Sequence, residues 1–252
     1  MHPTLTSTKN PIVQDARRLH TSKERRRSGR ILIEGPTLLR EAVSAGVELI
    51  TVFVVTGDHG QLDSVKELDS SVVPVSSHVL SHLGTTSTPR GPIAIARRPE
   101  PDPVLGATDC LVLVDIAEPG NAGTMARTAV ALGFQVVVVA GSVDVWSPKA
   151  LRAGAGAQFV SVPHVVASIN DLLGIGLFTV ALVVKGGGSV DHLDTRDPVA
   201  IVVGNEAHGL PSEILSVCHS TLTLEMDGRF ESLNAATAGS IVMWERSRRR
   251  PG

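Results

Sequence analysis

Four apolar runs constrain what this chain can fold into: CLVLVDI (110–116), QVVVVAG (135–141), LFTVALVV (177–184) and VAIVVG (199–204). Their apolar residues follow one another instead of alternating with polar ones. A strand of that kind is buried on both faces, as in a parallel sheet covered by helices on either side. Helical segments separate the runs, among them TMARTAVALG (124–133), SPKALRAGAG (147–156), INDLLGIG (169–176) and LPSEILSVC (210–218). FVSVPHV (159–165) and LTLEM (222–226) read as further strands, and SLNAATAGSIVMWERSRRR (232–250) as a long final helix. This alternation predicts an α/β fold with a mostly parallel sheet.

The first hundred residues repeat the pattern on a smaller scale. A basic helical stretch over 10–30 leads into the strand RILIEG (30–35), and PTLLREAVSAG (36–46) places Pro36 near a helix start and Gly46 at its C-cap. LITVFVV (49–55), VVPVSS (72–77) and IAIARR (93–98) read as strands, LDSVKELDS (62–70) and SHVLSHLG (77–84) as helices, and TTSTPRGP (85–92) as a loop. PEPDPVLGAT (99–108), with three prolines and no periodicity, reads as a linker. The expected organisation is a smaller α/β domain over 1–98, a linker over 99–108 and a larger domain over 109–252.

Hydrophobic residues make up 42% of the 252 positions, enough for a sizeable core, but aromatics are only 3% and tyrosine is absent. The core is therefore aliphatic, and the aromatic platforms on which many proteins stack single-stranded RNA are not available. The formal net charge of −2 hides an asymmetry. Residues 1–40 hold Lys9, Arg17, Arg18, Lys23, Arg25, Arg26, Arg27, Arg30 and Arg40 against Asp15, Glu24 and Glu34, and the C-terminus adds Arg246, Arg248, Arg249 and Arg250. Such clusters suit a polyanion partner, and equally a solvated helix face.

Cys110 and Cys218 stand in or near apolar segments without metal-ligand spacing, so two buried free thiols in a reducing cytosol are expected, and no metal. The N-terminus lacks the apolar core of a signal peptide, and no run is long enough to span a bilayer, so a cytoplasmic chain with no membrane partner is expected.

Three segments put unusual polar residues just past strand ends, where open parallel sheets bind ligands: DIAEPGNAGTMART (115–128), VVGNEAHGL (202–210) and LEMDGRFESLNAATAG (224–239). The dinucleotide fingerprint G-x-G-x-x-G is missing, since PGNAGTMAR has glycines at 120 and 123 only. RAGAGAQ holds G-x-G, but in a helix-to-strand connection where close backbone packing explains it. Neither a Walker lysine nor G-x-S-x-G occurs, and His164, His192, His208 and His219 are scattered. Taken alone, Glu206 reads as a solvated turn residue.

Together the segments resemble the motifs of the SpoU/TrmH class of SPOUT RNA ribose 2′-O-methyltransferases. N-x-G-x-x-x-R appears as Asn121, Gly123 and Arg127, G-x-E-x-x-G as Gly204, Glu206 and Gly209, and S-L-N as Ser232, Leu233 and Asn234. SPKALRAGAGAQFVSVP (147–163) is similar to a fourth family segment through Arg152, Gly156, Ala157, Phe159 and Pro163, and residues 10–98 resemble the family's N-terminal substrate-binding domain. Leu224, Glu225 and Met226 depart from the usual I-P-M, and Gly154 stands where serine is common.

The resemblance implies a trefoil-knotted α/β domain behind a smaller ribosomal-protein-like one, binding S-adenosylmethionine without a metal and working as a homodimer with a shared active site. It assigns the cofactor to Gly204, Leu224, Met226, Leu233 and Asn234, and catalysis to Arg127, Asn121, Glu206, Ser232 and Asn234, with Glu206 holding Arg127 or Asn121 and Ser232 capping the last helix. Arg25, Arg26, Arg27 and Arg30 are expected on RNA phosphates. The implied reaction is methyl transfer to a ribose 2′-hydroxyl, most readily of 23S rRNA. A tRNA substrate, base methylation, an inactive RNA-binding relative and a dinucleotide oxidoreductase are the alternatives.

Overall fold

The computed structural model describes residues 3–65, 71–89, 91–193, 196–229 and 231–249. Internal contacts divide the chain into two compact units. Met1–Glu100 is joined by Trp146–Phe159 in the first, and Pro101–Val145 with Val160–Gly252 forms the second.

In the first unit the basic stretch forms two helices, α1 (Pro11–Arg18) and α2 (Ser22–Ser28). Asn10 caps α1 by accepting from the Ile12 N–H, and Thr21 caps α2 by accepting from Glu24. Then follow β1 (Arg30–Glu34), α3 (Pro36–Ser44), β2 (Leu49–Val55), α4 (His59–Val65), β3 (Ser71–Val75), α5 (Ser77–Leu83) and β4 (Ile93–Arg97). The helix expected over 62–70 lies earlier, and residues 66–70 fall outside the described ones. The sheet order is β1-β4-β2-β3, with β4 antiparallel to both neighbours and β2 parallel to β3. Val13, Ala16 and Leu19 pack with Leu32, Phe53, Val79, Leu83 and Ile93 in its core. The helix α7 (Pro148–Gly154) also belongs here. Its Arg152 donates to Glu34 at 3.4 Å and to the Thr85 hydroxyl, and the buried Glu34 also accepts from Thr85 and Thr86.

The second unit holds β5 (Cys110–Leu113), α6 (Pro119–Ala131), β6 (Gln135–Val139), β7 (His164–Val166), β8 (Phe178–Leu182), β9 (Val199–Val203), α9 (Ser212–Val217), β10 (Ser220–Leu222) and α10 (Ala235–Arg249). Its six strands are parallel throughout, in the order β10-β8-β9-β5-β6-β7. Cys110, Val112, Val137, Val139, Ala200 and Val202 share one core cluster, while Leu111, Leu113, Val136, Val138, Ile201 and Val203, alternating with them, are just as buried. Both faces are covered, as the apolar runs predict. Chain order reverses at β5, between β9 and β6, so the loops leaving β5 and β9 diverge there and open a crevice.

Several local expectations shift. FVSVPHV is not one strand: Ala155 (φ 48°) and Gly156 (φ +82°) turn the chain into α8 (Ala157–Val160), and β7 starts only at His164. The helix expected at INDLLGIG is a 3-10 turn over Ile169–Leu172, and the LTLEM strand is the earlier Ser220–Leu222. Cys110 is buried and its thiol is pushed up to about 12 by burial, but Cys218 is only half-buried. His219 is exposed, stacked on Phe178 at 5.1 Å and bonded to Thr179.

Candidate active site

A cavity of about 570 Å³ opens at the carboxyl ends of β8, β9 and β10. Leu182–Lys185, Val203–Leu210, Leu222, Leu224, Met226 and the approach to α10 (Glu231, Ser232, Leu233, Ala235, Ala238) line it. Its size and its aliphatic walls with a few polar groups are those of a small-molecule site.

Gly204 explains why a glycine ends β9. A Cβ there would lie 2.6 Å from the carbonyl carbon and oxygen of Gly209, and 2.7 Å from Leu210 Cγ. The loop folds back on itself through Asn205 N–H to Gly209 O (3.1 Å) and Gly209 N–H to Asn205 O (2.9 Å). Gly209 takes φ +68°, which suits glycine. Asn205 also donates to the Asp115 carbonyl at 2.9 Å. Asp115 is one of two non-glycine residues with positive φ (52°) among those described. The first and second motifs thus meet across a strained residue held by a side-chain hydrogen bond.

Glu206 sits at the centre of the polar network. Its carboxylate accepts from Asn121 Nδ2 (2.9 Å), Ala117 N–H (3.1 Å) and Glu118 N–H (3.2 Å). Burial alone would push its pKa up, but these donors outweigh it and hold the group below its ordinary value. Asn121 in turn accepts from Asn234 Nδ2 at 3.1 Å. Asn234 accepts from the Ala236 (2.8 Å) and Thr237 (3.2 Å) N–H groups. Asn234, not Ser232, is therefore the cap of α10, because α10 starts at Ala235 and only Asn234 is placed to reach its first free amides. Gly239 lets α10 approach α6: a Cβ there would meet Met125 Sδ at 3.1 Å.

Gly204, Glu206, Leu224, Met226, Ser232 and Leu233 share the cavity wall, while Asn121 and Asn234 stand behind it in the Glu206 network. Glu206 holds Asn121 and not Arg127. Arg127 is exposed on α6 and makes no hydrogen bond or ion pair among the described residues. The N-terminal arginines divide. Arg25 is buried and donates to the Leu19 carbonyl at 2.6 Å, so it braces the fold and is not free for phosphate. Arg30 is half-buried on Asp15 at 2.7 Å, and Arg27 is exposed but paired with Glu24 at 2.6 Å. Arg26 is exposed and without a partner among the described residues. The C-terminal basic run divides too: Arg246 is buried on Asp109, Arg249 pairs with Asp191 and Glu245, and Arg248 is exposed. Sequence reasoning missed Asn205, Lys185 and Glu231, although their places after β9 and β8 and before α10 were a usable signal.

The family model described as SpoU rRNA Methylase matches residues 109–244, more than half the chain. The chain belongs to the SpoU rRNA methylase family. A second model, the MRM3-like substrate binding domain, matches residues 10–94 of this SpoU chain. The chain is 30% identical to the 23S rRNA (guanosine(2553)-2'-O)-methyltransferase RlmP of Bacillus subtilis, over 94% of this chain and 96% of that one. It is also 30% identical to the 23S rRNA (uridine(2479)-2'-O)-methyltransferase of Streptomyces viridochromogenes, over 92% of this chain and 87% of the relative. Among solved structures, the AdoMet-bound rRNA methyltransferase from Sinorhizobium meliloti covers 99% of both chains with a TM-score of 0.85 and 26% identity. The cavity size and the Gly204 cradle fit S-adenosylmethionine in this SpoU chain.

Proposed function

We propose that this SpoU-family protein transfers a methyl group from S-adenosylmethionine to a ribose 2′-hydroxyl of ribosomal RNA, with 23S rRNA as the substrate. The single observation that carries this reading is the hydrogen-bonded chain from Asn234 through Asn121 to Glu206 on the wall of the donor cavity. When bound, S-adenosylmethionine supplies an electrophilic sulfonium methyl. The aliphatic walls (Leu182, Leu222, Leu224, Leu233) shield it, and Gly204 admits the ligand against bare backbone. Glu206 locks the loop after β5 to the loop after β9, which fixes the direction from which the acceptor arrives. Arg127, free on α6, clamps the acceptor phosphate and stabilises alkoxide as the hydroxyl gives up its proton to solvent; a guanidinium does not serve as a base.

We propose that residues 1–98 dock the RNA, that 99–108 link, and that 109–252 perform the chemistry. The two family matches, over 10–94 and 109–244, support that division. We also propose a homodimer, supported by a face of α6 and α10 that exposes Ile241 and Trp244 beside Thr124 and Ser240. A cytoplasmic location is proposed on the RNA substrate; no described helix is long and apolar enough to cross a membrane.

The test is transfer of labelled methyl to total rRNA and total tRNA, offered separately, followed by nucleoside analysis. A 2′-O-methylated nucleoside in rRNA supports the reading, and label in tRNA alone or on a base overturns it. Arg127→Ala is expected to abolish transfer while S-adenosylhomocysteine still binds in a calorimeter. Equal loss of both would show that Arg127 serves the cavity instead.

A further inference from the structure

We propose that Lys185 binds the carboxylate at the amino-acid end of S-adenosylmethionine, and that Glu231, which lines the same cavity, faces its ammonium. The inference rests on the cavity being the donor site and assigns the polar end of its ligand.

Among the described residues, the lysines, arginines and acids that line the cavity are Lys185, Glu206 and Glu231. Glu206 is committed: three N–H donors hold its two oxygens. Lys185 and Glu231 are exposed and have no hydrogen bond or ion pair among the described residues. Among the described residues the wall therefore offers one free lysine and one free carboxylate, with the exposed His208 also on it. An α-amino acid end carries one cation and one anion, while the adenine ring suits the aliphatic remainder.

The backbone turn that carries Lys185 is also held in place. Its two limbs are tied to one residue: Thr223 Oγ1 donates to the Val183 carbonyl (3.1 Å) and accepts from the Gly187 N–H (2.9 Å). Gly188 N–H donates to the Thr221 carbonyl at 2.9 Å, and Thr223 N–H to the Gly188 carbonyl at 3.0 Å. Gly187 has no room for a side chain, since a Cβ would lie 2.6 Å from the Leu222 carbonyl carbon. A turn fixed on both sides leaves only the lysine side chain to be ordered on binding, so the ion pair it makes keeps more of its energy. Gly186, at φ +78°, makes the reversal.

The experiment is calorimetric titration of the full-length protein with three ligands: S-adenosylhomocysteine, 5′-methylthioadenosine, which lacks the whole amino-acid end, and decarboxylated S-adenosylmethionine, which lacks only the carboxylate. Lys185→Gln is expected to weaken S-adenosylhomocysteine about fivefold and to leave the other two within about twofold, with Lys185→Arg restoring most of the loss. Glu231→Gln is expected to weaken S-adenosylhomocysteine and the decarboxylated ligand but not methylthioadenosine. Equal weakening of all three ligands by Lys185→Gln would mean that the lysine only shapes the loop. No weakening of any would mean that it serves another partner, such as an RNA phosphate. Either result overturns the proposal. Failure of the unaltered protein to bind any of the three would instead overturn the cavity as the donor site.

Discussion

At the scale of single residues, charge placement explains more than residue type. Glu206 is ionised because three donors face it, so its folded pKa lies below the unfolded value of about 4.5. The sign follows: its contribution is fully present above that value and is lost as pH falls through the folded pKa. Cofactor affinity, measured as Kd against pH, should therefore be flat near neutrality and fall away in acid, and Glu206→Gln should remove most of that acid limb while weakening binding throughout. An unchanged acid limb in the variant would assign it to another group. Glu206 was legible in the sequence because a carboxylate between two glycines past a buried strand is unusual. Its partner was only half legible: spacing placed Asn121 and Arg127 one helical turn or two along the same segment, and only the fold shows that the amide is the one within reach. Asp115 at positive φ left no sequence signal beyond the tolerance of Asp for that conformation.

At the scale of elements, basic residues turn out to be divided between support and surface. Arg246 in α10 is buried and donates to both oxygens of Asp109 (3.0 and 3.1 Å) and to the Leu193 (2.8 Å) and Asp197 (3.1 Å) carbonyls. Asp109 also accepts from the Val199 N–H at 2.7 Å, which ties the start of β5 to β9 and α10. Asp109→Ala leaves a buried guanidinium uncompensated and should cost about 3–5 kcal/mol in chemical denaturation; a loss below 1 kcal/mol, about that of an exposed pair, would mean that water reaches the pair. In α2 the same division predicts that Arg25→Ala lowers stability, whereas Arg26→Ala leaves stability alone and reduces the salt dependence of RNA affinity by about one unit of slope. Equal effects of the two on RNA binding would undo the distinction. The parallel strands were legible because an unbroken aliphatic run has few other uses. The FVSVPHV and LTLEM boundaries were not, since Ala155 in a left-handed conformation and the loop lacing at Thr223 are set by neighbours distant in sequence.

At the scale of the whole molecule, the proposed homodimer would account together for the exposed face of α6 and α10 and for Arg127, which has no partner among the described residues. Trp244→Glu should then yield a monomer by light scattering, with circular dichroism intact and methyl transfer lost. A monomeric variant that still turns over would mean that one chain suffices. The donor cavity also has a place in time. Every described residue that lines it lies between Leu182 and Ala238, and β5, at the centre of its sheet, lacks one neighbour until Val203 has been made. A chain leaving the ribosome assembles its N-terminal elements first. The cavity, by contrast, cannot exist until α10 has emerged, which makes cofactor retention a stamp of completed synthesis: a product shortened by a few dozen residues at its C-terminus would still present the basic face of α2 to RNA, with no methyl donor to deliver.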